Sequence, residues 1–375
     1  MSSSYEFWLT DDSGKKMLLF KNLAYVSYCR TTNGYGTIQL GLPFNDYVKF
    51  VPFVFQPDWR IDVFRSPESG LPKRRECSFL LRKFRIYDRT TDSMRMIEFF
   101  GRSPIDILRR WSVVSYTISY YKKTDQIDDM MKAIVTQSFI TTPMVAPTGE
   151  LTVEGNVSLG PIVTLSFFGK VVLEILRDLK ATSFSLNATD PTSKKIYFDV
   201  VEGNTLSNGG FGYLFKTYAG LRGTDRTSNL VFSVENGNIQ EPQYYEDYLD
   251  QVTEGQVGTT VVDGPDIYLS RWNKIMVYRG ITESPNFSTS VDEKTALANK
   301  ILAEGAKDVS FNATFLNTPG SPVQPRSLYG VDWDLGDLLS VKYAGRAFES
   351  EVKIVYVSLE EDGKENVIGM SSIGE

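Results

Sequence analysis

"CSFLLRKFRIYDRTTDSMRMIEFFGRS", residues 77–103, has an echo near the other end of the chain: "AFESEVKIVYVSLEEDGKENVIGMSS", residues 347–372. Each holds a long strand of alternating apolar and polar residues, a polar turn, and a further strand running out through Gly and Ser. Alternation with period two is the mark of a half-buried strand. Each is also preceded by a shorter strand and a turn, "WRIDVFRS" from Trp59 and "DLLSVKYAG" from Asp337. Identity between the two segments is too low for a sequence repeat. What recurs is the order of elements, and it predicts two related β domains at opposite ends of the chain.

Outward from these segments, "MLLFKNLAYVSYCRTTNGYGTIQLGLP" places apolar and aromatic residues around Asn33-Gly34, a hairpin signal. "SPIDILRRW" predicts a short helix with Ser103 as N-cap and Pro104 at the first helical position. A helix over 124–140 puts Ile127, Met130, Met131 and Ile134 on one face. A second, over 166–180, carries the stripe Phe168, Val171, Val172, Ile175, Leu176 and Leu179. "FSLNATD" and "KKIYFDVVEG" read as a hairpin around Pro191, and 203–212 as a Gly- and Asn-rich linker. A third helix is expected at 292–304, with Ser290 and Glu293 at capping-box spacing and Gly305 as its stop. The end is a β-meander with turns at Ala344-Gly345 and Asp362-Gly363.

Composition narrows the chemistry. The 375 residues include no histidine, which removes Ser-His-Asp and Cys-His catalysis and the usual His-rich metal sites. Two cysteines, Cys29 and Cys77, make neither a disulfide framework nor a zinc motif, and read as buried free thiols. The start "MSSSYEFWLTDDSG" lacks the pattern of a signal peptide, and no apolar run approaches the roughly 20 residues that span a bilayer. Synthesis and folding in a cytosol are therefore expected. The net charge of −6 argues against a general nucleic-acid binder. That charge is unevenly spread: residues 1–123 hold 20 of the 40 basic residues but 12 of the 46 acidic ones. Either the two parts face different partners, or solvated charge is simply spread unevenly.

Four stretches invite a functional reading. "NGGFGYLFKTYAG" is glycine-rich, but lacks the phosphate-loop spacing, and Lys216 is not preceded by Gly. "QYYEDYLDQVTEG" sets Glu246, Asp247, Asp250 and Glu254 among Tyr244, Tyr245 and Tyr248. That is either a carboxylate set for sugar hydrolysis, a glycan platform, or a solvated face. Lys73, Arg74 and Arg75 make a basic turn, a candidate protein interface. "GTDRTSN" places Asp225 and Arg226 where a second β domain begins. Arg226 is suited to hold a carboxylate or backbone across a junction, and Asp225 to satisfy local turn amides.

The ensemble resembles the tail hub, or baseplate hub, proteins of long-tailed bacteriophages, related in fold to the central hub protein of contractile tails. Four passages carry the likeness: "YCRTTNGYGTIQLGLP", "FFGRSPIDILRRW", "GTDRTSNLVFSVENGNI" and "LGDLLSVKYAGRAFESEVKIVYVSLEEDG". The resemblance implies a mostly β, α+β chain with two tube-like β-barrel or sandwich domains and α/β domains between and beside them. Residues 1–110 would form the first β domain and 111–205 a side domain. Residues 206–240 with 306–375 would form a split second β domain, and 241–305 a peripheral one. It further implies a homotrimeric ring whose six β domains adapt a sixfold tail tube to a threefold tip. A tail tube or distal tail protein would sit above, a tip or fibre protein below, and DNA would pass through the centre. The setting would be a virion tail assembled in the host bacterial cytoplasm, with no catalytic residue, cofactor or metal.

Overall fold

The computed structural model describes residues 3–12, 14–32, 34–47, 59–68, 70–89, 94–110, 112–113, 121–141, 151–167, 169–190, 192–205, 211–249, 251–257, 260–263, 279–282, 298, 301–302, 308–322, 324–359 and 365–372. Period-two alternation produces strands at both ends of the chain, as the sequence implies. The first half holds β1 (Ser4–Thr10), β2 (Lys16–Phe20), β3 (Tyr25–Thr31), β4 (Thr37–Pro43), β5 (Arg60–Ser66), β6 (Arg74–Asp88) and β7 (Arg95–Arg102). They pair in the order β3-β4-β7-β6-β5-β1-β2, all antiparallel.

The middle of the chain builds a separate layer. It contains β8 (Tyr121–Gln126), β9 (Leu151–Val153), β10 (Ile162–Phe167), β11 (Ile196–Thr205) and β12 (Phe211–Ala219). Its helices are α2 (Ile127–Val135) and α3 (Val172–Thr189), following the single turn α1 (Phe44–Tyr47). Beyond lie β13 (Val231–Ser233), β14 (Ile239–Asp247), β15 (Glu254–Val257), β16 (Thr260–Asp263), β17 (Arg279–Thr282), β18 (Asp308–Leu316), β19 (Leu338–Tyr343), β20 (Arg346–Leu359) and β21 (Glu365–Ser372). β15 is the central strand of a small sheet, flanked by β16 and β17. The remaining strands of the second half run β14-β18-β21-β20, with β19 on β20 and β13 on β19.

The two halves meet in one 13-stranded sheet, because β20 pairs antiparallel with β3 from Ile354↔Thr31 to Leu359↔Val26. The chain is thus mostly β, of the α+β class, and its two β units share a hydrogen-bonded ladder. Their apolar faces form one core. Phe232, Phe315 and Trp333 are fully buried there, with the Phe232 and Phe315 ring centroids 4.6 Å apart and edge to face. Burial of such a ring contributes about 1.5–3 kcal/mol, and an aromatic pair about 0.5–1.5 more. A second core belongs to the middle layer, where Ile127, Met130, Met131 and Ile134 of α2 meet Val172, Leu173, Ile175, Leu176 and Leu179 of α3 and Phe215 of β12.

Several sequence expectations shift. Thr124–Gln126 lies in β8, where Thr124 Oγ1 is 2.7 Å from Thr164 Oγ1 of β10, so α2 starts only at Ile127. Ser166 and Phe167 likewise belong to β10, and α3 starts at Val172. It runs on to Thr189 through "FSLNAT", which the sequence reading placed in a hairpin. Ser183, just before this stretch, ties the helix to the sheet: its Oγ accepts the Ile196 N–H at 2.9 Å. Ser103 does not cap the 3-10 turn Pro104–Arg109; its Oγ accepts the Gly36 N–H at 3.0 Å instead. β12 pairs with β11, so Phe211–Ala219 stands with the middle layer rather than opening the second β unit. β14 pairs with β18, which brings 239–247 into the main sheet. The Ala344-Gly345 turn forms with φ of 50° and 75°, the two positive values a tight type I′ hairpin needs. The Asp362-Gly363 turn lies outside the described residues, as does the 292–304 helix apart from Ala298, Ile301 and Leu302, which are helical.

One buried charge cluster braces the middle layer. Lys132 on α2 donates to Gly155 O at 2.9 Å and lies 3.3 Å from Glu154 and 3.8 Å from Asp128. Asp128 accepts the Leu159 N–H at 2.8 Å, and Asp129 accepts those of Val157 and Ser158. Burial, helped by the charge of Asp129, pushes the Asp128 carboxyl up to about 6. The folded state therefore holds this proton more tightly than the unfolded chain, where the value is about 3.9. The contribution to stability grows as pH falls through 6 and is lost as pH rises above it. In urea melts, wild type should gain stability relative to Asp128→Asn between pH 7 and pH 5. A difference that is flat or shrinks over that range would contradict this account.

Candidate functional site

The joint between the two β units is sealed by a buried polar network. Arg30 of β3 lies 2.9 Å from Asp334 and donates to the Tyr329 hydroxyl. Arg65 of β5 lies 2.8 Å from Glu365 of β21 and donates to Tyr5 OH at 2.7 Å and Tyr329 O at 2.8 Å. Glu76 of β6 accepts from Tyr28 at 2.9 Å and Tyr329 at 2.6 Å. Burial raises the Glu76 carboxyl, while Arg30 and Arg65 pull it down. Burial likewise pushes the Tyr5, Tyr28 and Tyr329 hydroxyls up, so they act as neutral donors. None of these residues stood out in the sequence. Each sits in an alternating strand or turn, and only the pairing of distant strands brings them together.

Beside this network the middle layer joins the two β units around a cavity of about 120 Å³. Its charged lining is Arg30, Arg75 and Arg222 against Glu76, Asp199 and Glu202, three of each sign. A balanced lining carries no net formal charge, which suits an internal seam. Arg222 is one link from the second unit to the middle layer, and Tyr197 of β11, which donates to Glu351 of β20 at 3.0 Å, is another. Arg222 pairs with Asp199 of β11 and donates to Leu335 O at 3.1 Å.

Asp225 and Arg226, next along the chain, clamp two segments of the second unit to each other. Arg226 Nε is 3.3 Å from Asp337 Oδ2, and its backbone N–H donates to Leu338 O at 2.9 Å. Burial raises the Asp337 carboxyl, against the pull of the Thr224 N–H at 2.7 Å and of Arg226. Asp225 is exposed and closes its own turn, accepting from Thr227 N at 2.9 Å and Thr227 Oγ1 at 2.7 Å, and these bonds lower its carboxyl. The approach is close at Gly223, where an added Cβ would sit 2.4 Å from the Gly336 carbonyl carbon.

The basic turn divides. Lys73 pairs with Glu6 at 2.9 Å on the surface, and Arg74 is exposed. Arg75, which the sequence grouped with them, points inward. Its side chain is 4% exposed, 3.0 Å from Asp62 and 3.6 Å from Glu202, and its guanidinium lies over the Phe211 ring. Consecutive strand residues face opposite sides, which separates Arg75 from Arg74. With Arg60, which donates to Phe211 O at 2.6 Å, it docks the middle layer onto the first unit.

The carboxylate stretch does not converge. Glu246 and Asp247 are neighbours on β14 and so face opposite sides. Glu246 is held by Arg346 at 3.0 Å and by the Tyr244 and Tyr248 hydroxyls. Asp247 accepts from Leu249 N at 2.8 Å and Tyr245 OH at 3.0 Å. Glu254 is buried in β15, and Asp250 lies outside the described residues. Lys216 sits mid-strand in β12, 3.9 Å from Glu154, not beside a phosphate-binding turn. Among the described residues no cluster suited to a metal occurs, and no helix is long and apolar enough to cross a membrane. Cys29 and Cys77 are unpaired thiols, and burial raises both.

Solved structures match over nearly the whole chain. The 43 kDa tail protein of prophage MuSo2 from Shewanella oneidensis superposes with a TM-score of 0.57 at 11% identity, covering 98% of this chain and 97% of that one. The chain has the fold of phage tail proteins. A tail protein from Neisseria meningitidis gives 0.52 at 12% identity over 99% and 96% of the two chains. Prophage tail protein gp18 from Listeria monocytogenes gives 0.51 at 10% over 98% and 94%. No protein-family model and no curated protein matches.

Two measurements test these seams. Arg65→Ala strands Glu365 and Glu76 in the interior, and should destabilise the protein by about 3–5 kcal/mol in denaturant melts. A loss below about 1 kcal/mol would mean that the network is not holding the halves together. At the clamp, Gly223→Ala should lose about 1–3 kcal/mol because backbone must move. Arg226→Ala should lose about 1 kcal/mol, since Asp337 keeps its backbone donors. The reverse ranking would rule out close backbone approach as the stronger restraint.

Proposed function

We propose that this chain is a structural tail hub: three copies form a ring that joins the tail tube to the tip of a phage tail and encloses a passage for DNA. The observation carrying this reading is that one chain contains two β units of the same strand order, already joined edge to edge by β3 and β20. Three chains would supply six units, matching a sixfold tube above while keeping threefold symmetry for the tip below. The match to phage tail proteins over almost all of both chains supports the same role. In this reading the partners are a tube or distal tail protein on one side and a tip or fibre protein on the other. The setting is the virion tail, assembled in the host bacterial cytoplasm, and the chain performs no catalysis. DNA passes without a specific contact, and the acidic overall balance is in keeping with low affinity for phosphates.

Light scattering and negative-stain imaging test the ring. The expected outcome is a mass of three chains and particles with a central hole, either for the protein alone or beside its tube partner. A strict monomer under both conditions would overturn the reading.

A further inference from the structure

The two β units agree in strand order and share a register slip at matching places, although β14 has a further slip against β18, between Gln240 and Gln243, that β3 lacks against β4. The order β5-β6-β7-β4-β3 recurs as β19-β20-β21-β18-β14. Leu80 of β6 faces Arg60, the first residue of β5, and Glu351 of β20 faces Leu338, the first residue of β19. Just beyond, both long strands slip register. β6 does so against β7 between Leu81 and Lys83, and β20 against β21 between Val352 and Ile354. Arg82 therefore corresponds to Lys353, and Lys83–Asp88 to Ile354–Leu359.

In the second unit, the outer edge of Ile354–Leu359 is taken up by β3. The counterpart of β3 is β14, and the counterpart of β20 is β6. The matching pairing would be β14 with the far half of β6, and it is not made inside the chain. Among the described residues β14 pairs with β18 alone, and β6 beyond Leu81 pairs with β7 alone. A repeated unit with one joint made and no strand paired to the equivalent edges among the described residues has the form of a head-to-tail, ring-closing interface.

We propose that β14 of one copy pairs antiparallel with Lys83–Asp88 of β6 in the next copy, in the register of the β3 and β20 joint. This inference rests on the ring reading above and specifies which edges close the ring. Following the ladders through β4 and β18, Gln243 corresponds to Cys29 and Tyr245 to Thr31. Since Cys29 faces Tyr356 and Thr31 faces Ile354, Gln243 lies opposite Arg85 and Tyr245 opposite Lys83 of the neighbour. The charges lean the same way. β14 carries Glu241, Glu246 and Asp247, whereas Lys83–Asp88 carries Lys83 and Arg85 against Asp88, with Arg82 just before it. Within the chain Arg82, Arg85 and Glu246 also pair with Asp106, Glu98 and Arg346, which leaves Lys83 and Asp247 as the pair to test. The uneven charge of the chain thus becomes a polarity that favours acidic edge against basic edge and disfavours like against like. Tyr245, 55% exposed, and Ile86, 43% exposed, would be covered on closure.

Paired cysteines test the register. Tyr245→Cys with Lys83→Cys in one chain should, on mild oxidation, give covalent dimers and trimers on a non-reducing gel, whereas Tyr245→Cys with Lys73→Cys should not. Lys83→Glu alone should weaken trimer formation by about twofold to fivefold per joint, and adding Asp247→Lys should restore it, as expected for neighbours across a strand pair. Circular dichroism confirms that each variant is folded. A wild-type ring that yields no cross-link and ignores both charge changes would overturn this joint while leaving the ring reading intact. A wild type that stays monomeric beside its tube partner would overturn both.

Discussion

The architecture depends on one strand pairing. Six residues of β3 and six of β20, from opposite ends of the sequence, share a ladder that turns two β units into one sheet. Pairing two such edges removes two exposed rows of backbone donors and acceptors that would otherwise template aggregation. It also brings charged side chains into the interior, because Arg30 on β3 and Glu76 on β6 now face the turn that carries Tyr329 and Asp334. Their charges are tolerable there only because each has a partner. The network is a consequence of the joint and also a condition for it. A ladder alone does not set the angle between two units, whereas ion pairs and tyrosine hydroxyls reaching across from β5 and β21 do.

The middle layer is secured by the same means. Arg60 and Arg75 reach out of the first unit toward Phe211 and Glu202, and Arg222 reaches from the second toward Asp199. The middle layer is therefore tied to both β units by arginine–carboxylate seams, whereas the two β units also share one apolar core. Arginine suits such seams, since its planar fork can serve a carboxylate and a carbonyl at once while its face stacks on an aromatic ring.

The strand content was legible in the sequence because alternation is a local property. The correspondence of 77–103 with 347–372 survives in the structure down to a shared register slip. The buried face of α2 was legible for the same reason. Helix ends were not, because tertiary pairing helps to set them: Ser166 and Phe167 went to a strand, and the helix continues through "FSLNAT" beyond Ser183, which bonds β11. At the seams only half the information was local. Arg226 stands in a polar turn, and the sequence suggests a clamp across a junction between domains, whereas its contacts to Asp337 and Leu338 lie within the second unit. Arg30, Arg65 and Arg222 look like ordinary strand or turn arginines until residues hundreds of positions away are brought beside them. Arg75 was misplaced because a run of basic residues conceals the alternation that sends one of them inward.

Tethering two β units in one polypeptide has a kinetic consequence. The β3 and β20 joint forms within a molecule, at an effective concentration set by the intervening chain rather than by expression level. Dilution cannot undo it, and no second molecule has to be found. Each chain arrives with that contact already made, so its units can only be delivered in pairs, and an assembly with an odd number of them is excluded by covalent structure. Fusion also frees the two units to diverge, because a substitution in one is not copied into the other.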